Sequence, residues 1–151
     1  MADEYINKVS EVWAHFFAYM SELEGQSPDD GVPIEKVVQG DPAVQDYPIP
    51  FLSVQMLSSV VNRRSDEDKL WRQTVKLRIV SRSPDDDPTT EILRKIAMVE
   101  NQVEAYERPE GASGFEDAAW AIKFGVSPEA GNIVMADSER SFAVKVERGD
   151  N

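Results

Sequence analysis

His15 is the only histidine in the chain and cysteine is absent, so most side chains that commonly serve as base, nucleophile or soft metal ligand are missing. A nucleophilic triad needs an imidazole held beside a hydroxyl or thiol. Disulfides and thiolate metal sites need Cys. His15 falls near the apolar face of a helical stretch, where a packed imidazole with one satisfied hydrogen bond is the expected role. The run Asp85-Asp86-Asp87 offers oxygen atoms to a hard cation, but it lacks the spaced carboxylates and distal Glu of a calcium loop. A loop that ends in a helix N-cap explains it more simply. Asp66-Glu67-Asp68 and the pair Glu107 and Glu110 read as solvated loop ends. No GxGxxG or GxxxxGK[ST] loop occurs to cradle phosphate. Gly111-Ala112-Ser113-Gly114 departs from G-x-S-x-G and precedes a strand instead of following one; it reads as a flexible turn. No enzymatic activity, no metal and no cofactor are expected.

One chemical pattern remains. Along Trp71 to Arg82, Trp71, Val75, Leu77 and Ile79 alternate with Arg72, Thr74, Lys76, Arg78 and Arg82, the period of a strand with one apolar and one basic face. Arg63 and Arg64 lie across the same hairpin, and Lys123 and Lys145 fall on polar faces of later strands. The chain has 16 basic and 28 acidic residues, a net charge of -12, so this is a local excess against the general balance. Two readings stay open. The face is solvated and cross-paired with Glu and Asp, or it is a contact surface for acidic groups such as the loops of a neighbouring copy. On the second reading the interface residues are Arg63, Arg64, Arg72, Lys76, Arg78 and Arg82. The acidic balance argues against a protein whose main work is to neutralise phosphates.

The elements that position these residues read from periodicity. From about Asp3 to Glu24, Ile6, Val9, Trp13, Phe16 or Phe17, Met20 and Leu23 recur every three or four positions, predicting a helix with one buried face. Gly25 stops it. Asp29 to Pro50 is a long Pro-, Gly- and Asp-rich connection with Glu35 to Val38 as its candidate strand. Phe51 to Val61 is a strand of ambiguous alternation that suggests a bulge; Asn62 to Leu70 is a charged hairpin loop; Trp71 to Arg82 is the next strand. Asp87 suits an N-cap and Pro88 the first helical position. Ile92, Ile96, Val99, Val103 and Tyr106 then mark a second amphipathic helix, with Arg94, Lys95, Asn101 and Glu104 opposite. Two strands follow, Asp117 to Val126 with Trp120, Ile122 and Phe124 on one face, and Glu139 to Arg148 with Phe142, Val144 and Val146.

At 151 residues, 41% hydrophobic and 29% charged, the chain suits one globular domain. The expected class is α+β: an antiparallel sheet of about four strands carrying two amphipathic helices, in the order helix, two strands, helix, two strands. The apolar stretch Val12 to Met20 is too short for a membrane span. Asp3 and Glu4 precede Lys8, so the start does not resemble a secretory signal. No membrane association and a cytosolic site of synthesis are expected.

The sequence of these segments resembles a known family. A loop ending in VVQGDPAVQDYPIPFLSVQ, then TVKLRIVSR, the helix TTEILRKIAMVENQVEAY, and the strands WAIKFGV and SFAVKVER are arranged as in the tail terminator (tail completion, tail-to-head joining) proteins of long-tailed bacteriophages. The resemblance spans roughly Tyr5 to Arg148 and carries no catalytic residue. It implies a homo-oligomer, a hexameric ring seated on the tail tube protein. Such a ring stops tube polymerisation, presents a surface to the head connector or neck protein, and lets DNA pass without specific binding. The implied location is the tail end of the virion, with assembly in the host cytoplasm. A neck or head-completion role lies in the same class. An acidic protein-binding module that mimics DNA is the rival from another class, and the scatter of acids over several loops speaks against it.

Overall fold

The computed structural model describes residues 2–28, 32–63, 69–82, 89–115, 118–127 and 131–146. Helix α1, Ala2–Met20, buries Phe16 and Met20 as its period predicts, with Val12 also buried and the expected Val9 and Trp13 only partly so. A short 3-10 turn, Ser21–Leu23, follows. Gly25 then adopts φ +84, a left-handed conformation that glycine reaches without a Cβ penalty. Its N–H reaches Ile34 O at 2.7 Å while Ile34 N–H returns to Gln26 O at 2.9 Å, which clamps the chain as it leaves the helix.

Strand β1, Lys36–Gln39, leads to β2, Phe51–Arg63, and β3, Lys69–Arg82. Helix α2 is Thr90–Glu104 with Thr89 at its N-cap; Asp87 and Pro88, the sequence's choice for that role, lie outside the described residues. Strands β4, Ala121–Ser127, and β5, Gly131–Val146, complete the chain. The sheet order is β1-β2-β3-β5-β4. The register of β2 against β3 shifts between Met56 and Ser58, the bulge that the uneven alternation suggested. Both helices cover one side of the sheet, where Leu52, Val54, Val75, Leu77, Ile79, Val134, Ala136, Phe142 and Val144 form the core with α1 and α2. Phe16 stands in its middle, with ring centroids 5.2 Å from Tyr106, 5.0 Å from Phe115 and 6.4 Å from Phe142.

The α+β class and the two helices agree with the sequence, but four expectations need correction. The sheet has five strands, and β1 pairs with β2 in parallel. The ends of the expected hairpin loop, Asn62 with Arg63 and Lys69 with Leu70, belong to the strands; Arg64 to Asp68 lie outside the described residues. Strand β5 begins at Gly131, well before Glu139; its inward positions Ala136, Ser138 and Arg140 are small or polar, so the residue types do not show the alternation that the burial follows. On α2, Lys95 takes a fully buried position, while Ile96 is only half-buried. The inward stripe is Ile92, Lys95, Val99 and Val103.

Candidate functional site

Arg72, Lys76, Arg78 and Arg82 do share one face of β3, the side away from the helices. The register places Arg78 between Ser53 and Asp137, and Lys76 between Gln55 and Glu139. Arg78 grips Asp137 with two hydrogen bonds, Nε to Oδ1 at 2.7 Å and Nη2 to Oδ2 at 3.2 Å, and its Nη1 reaches Asp41 Oδ1 at 3.2 Å. The hydrogen bond to Asp137 pushes the Arg78 pKa above its ordinary value; the charges of Asp137 and Asp41 add to this, and burial opposes it. Lys76 Nζ stands 4.0 Å from Asp137 Oδ2. At these two positions the basic stripe is cross-paired within the chain. Arg72 lies in register with Val60 and Ala143, and Arg82 with Ile133. Arg63 closes β2 opposite Lys69, and Arg64 lies outside the described residues.

Sequence reasoning missed a second charged cluster because its centre occupies an inward position. Arg140 shares the helix side of β5 with Ser138 and Phe142 and is 5% exposed. Its Nη2 donates to Glu100 Oε1 and to Ser138 Oγ, and its guanidinium carbon lies 5.6 Å from the centroid of the Trp120 ring, within cation–π range. Trp120 Nε1–H also donates to Glu100 Oε1, at 2.7 Å. Burial by itself would raise the Glu100 pKa, but the hydrogen bonds from Arg140 and Trp120 and the charge of Arg140 outweigh it and hold the carboxyl below its ordinary value. The cluster borders a cavity of about 450 Å³ that is also lined by Glu104, Tyr106, Arg108 and Phe115. Burial first and Tyr19 second push the Tyr106 phenol up to about 12. Its oxygen lies 2.7 Å from His15 Nδ1, the hydrogen bond expected of the histidine, although His15 is exposed and not packed inward.

The Gly111–Gly114 turn is tied down, contrary to the flexible reading. Ser113 N–H donates to Ala143 O at 2.8 Å, Ala143 N–H to Ser113 Oγ at 2.7 Å, and Lys145 N–H to Gly111 O at 2.8 Å. The turn therefore covers the end of β5 around Ala143 to Lys145, beyond the reach of β4.

Two apolar patches stay open at the flanks of the sheet. Leu57, Val60 and Val61 on β2 are 40%, 52% and 45% exposed; Phe124 and Val126 on β4 are 57% and 76% exposed. The sequence places Phe124 on one strand face with Trp120 and Ile122. Phe124 is exposed because β4 is the outermost strand, while the helices lie over β3 and β5. Among the described residues no group of three His, Asp or Glu side chains is placed to hold a metal ion, and no helix is long and apolar enough to cross a membrane; Asp85 to Asp87 lie outside them. No protein-family model matches the sequence, and no curated protein matches it.

Proposed function

We propose that this chain is a structural ring protein of a phage tail, one that caps the tail tube and receives the head connector or neck protein. The observation that carries the reading is that apolar side chains stay exposed at both flanks of one sheet, Leu57, Val60 and Val61 on distal β2, where Val60 and Val61 point to opposite faces, and Phe124 and Val126 on β4. Exposed apolar groups gathered in this way mark contact surfaces. Patches that differ from each other favour head-to-tail contacts, which close into rings when the rotation allows. The resemblance in element order to tail terminators supplies the identity of the ring. In this reading the apolar flanks carry most of the contact. Arg72 lies in register with Val60, Arg63 is the last residue of β2, and Arg82 lies in the register row of Ile133 and Gly125 at the β4 flank. Lys76 and Arg78 serve the subunit's own fold. No catalytic step and no cofactor belong to this function, and DNA passes the acidic ring without a specific site.

Sedimentation of the purified chain, alone and with tail tubes, tests the proposal. Six copies of 16.9 kDa make a particle of roughly 101 kDa, and tubes polymerised with the chain present are expected to stop at a defined length. Raising the salt should weaken the assembly only modestly, because its core contact is apolar and only the bordering arginines are screened. A chain that remains monomeric and never associates with tube ends refutes the reading.

A further inference from the structure

Among the described residues the outer sides of β1 and β4, of β2 beyond Val54 and of β5 beyond Asp137 have no strand beside them, and two of these edges carry exposed apolar side chains. One is the outer side of β4, whose sole partner is β5. The other is the outer side of β2 beyond Val54. There β1 ends, Gln39 opposite Val54, and Gly40 closes the ladder by donating its N–H to Val54 O at 3.1 Å. An edge strand displays a row of unused N–H and C=O groups, a template for another chain. The geometry points to one occupant for both edges: β4 of one copy adds antiparallel to the distal half of β2 of the next, so that a single sheet runs from copy to copy. The inference rests on the ring reading above and specifies its contact.

Strand direction supports the match. β1 and β2 are parallel and all other neighbours are antiparallel, so β2 and β5 run one way and β3 and β4 the other. A neighbour that keeps the same orientation therefore presents its β2 antiparallel to β4, the more stable kind of ladder. The faces match too. Ile122 and Phe124 stand opposite Ala136 and Val134, on the helix side of the sheet. On β2 the bulge resets the alternation, so that Ser59 and Val61, opposite Gln73 and Trp71, take the helix side. Without the bulge Val60 would face that way instead, since a one-residue slip exchanges the faces of a strand. In the joined sheet Phe124 therefore stands beside Ser59 or Val61 of the next copy, and apolar surface that is open in the single subunit is covered. Ala121 shares a register row with Asp137, Arg78 and Ser53, whereas the free edge of β2 begins only after Val54. Each copy must step along the strands as it joins, and a ring built this way has strands inclined to its axis, as closure of a sheet requires.

The absence of cysteine gives a clean test. Two double variants, Phe124→Cys with Val61→Cys and Phe124→Cys with Ser59→Cys, are mildly oxidised as assembled rings, on tail tubes if the free chain does not assemble. The products are resolved without reductant. At least one double variant should give a covalent ladder of dimers, trimers and higher species, and the single variants should stay monomeric, because each thiol then faces a strand that has none. All three positions are exposed, so the substitutions leave the core intact. Covalent dimers from Val61→Cys or Phe124→Cys alone would show two-fold pairing of like strands and overturn the inference. Rings that give no ladder from either double variant overturn the strand pairing and leave the ring reading standing. A chain that stays monomeric with and without tubes overturns both.

Discussion

Glu100→Ala strands a buried guanidinium, and its cost can be worked from the surroundings of Arg140. The side chains of Arg140 and Glu100 are 3% and 28% exposed. Without the carboxylate, Ser138 Oγ and the Trp120 ring are the neighbours left to the charge, and Arg140 Nε already has no hydrogen-bond partner among the described residues. Removing one partner of a fully buried pair costs about 3–5 kcal/mol; water at the partly exposed Glu100 softens this to about 2–3 kcal/mol. Arg140→Met is expected to cost less than about 1 kcal/mol, because the apolar chain fills the space and Glu100 keeps both water and the Trp120 N–H. The double variant should match Arg140→Met, and so be more stable than Glu100→Ala alone. Urea unfolding followed by tryptophan fluorescence measures the order, with Trp120 as a reporter inside the cluster. In a domain of this size each kcal/mol moves the melting midpoint by about 2–4 °C. The pair also predicts a pH dependence. The folded Glu100 pKa lies below its ordinary value of 4.5, so the unfolded chain takes up the proton first as pH falls. The stabilisation is complete above that value and is lost as pH drops through the lower, folded one. The reasoning is refuted if Glu100→Ala is as stable as the double variant, or if its acid unfolding limb matches the parent's.

Three further substitutions probe the rest of the fold. Gly111→Ala should cost about 1–2 kcal/mol, because φ is +90 and a Cβ would lie 3.1 Å from Lys145 O; equal melting temperatures would show that the turn adapts. Arg78→Glu should lower the melting temperature of the subunit itself, since it sets a third carboxylate against Asp137 and Asp41. If it impairs assembly and leaves subunit stability intact, the intramolecular pairing is not what Arg78 is for. Ile92→Asp should cost several kcal/mol, because it buries an unpaired charge at a fully buried position, and Ile96→Asp distinctly less. Equal losses in chemical denaturation would mean that the inward stripe of α2 is misassigned.

Local chemistry determined a good deal of this protein before any tertiary contact was considered. The single His and the lack of Cys restrict the catalytic and metal chemistry open to the chain whatever its fold. The three-to-four-residue period that includes Phe16, Met20 and Leu23, and the alternation of Val75, Leu77 and Ile79, each bury one face, and such patterns are written directly in the order of residues. The candidate contact surface was legible only in part. The basic stripe on β3 was visible, but its neutralisation at Arg78 depends on Asp137, 59 residues away in the chain, and no local rule pairs them.

Tertiary structure decided everything that turns on which side of an element meets what. Lys95 carries a charge, and a charge by itself predicts solvent; its burial depends on Glu91 one turn earlier, which accepts from Lys95 Nζ and also from the N–H of Val32, 59 residues before it. Arg140 has the same history, with Glu100 and Trp120 brought to it by α2 and by the approach to β4. Phe124 and Val126 look like core residues in an alternating strand, and only the sheet order places them on an outermost strand beyond the helices. The sequence carries the period of each element because period is local. It cannot carry which strand lies at the edge, because that follows from long-range pairing, and the open flanks on which assembly is proposed are a property of that pairing alone.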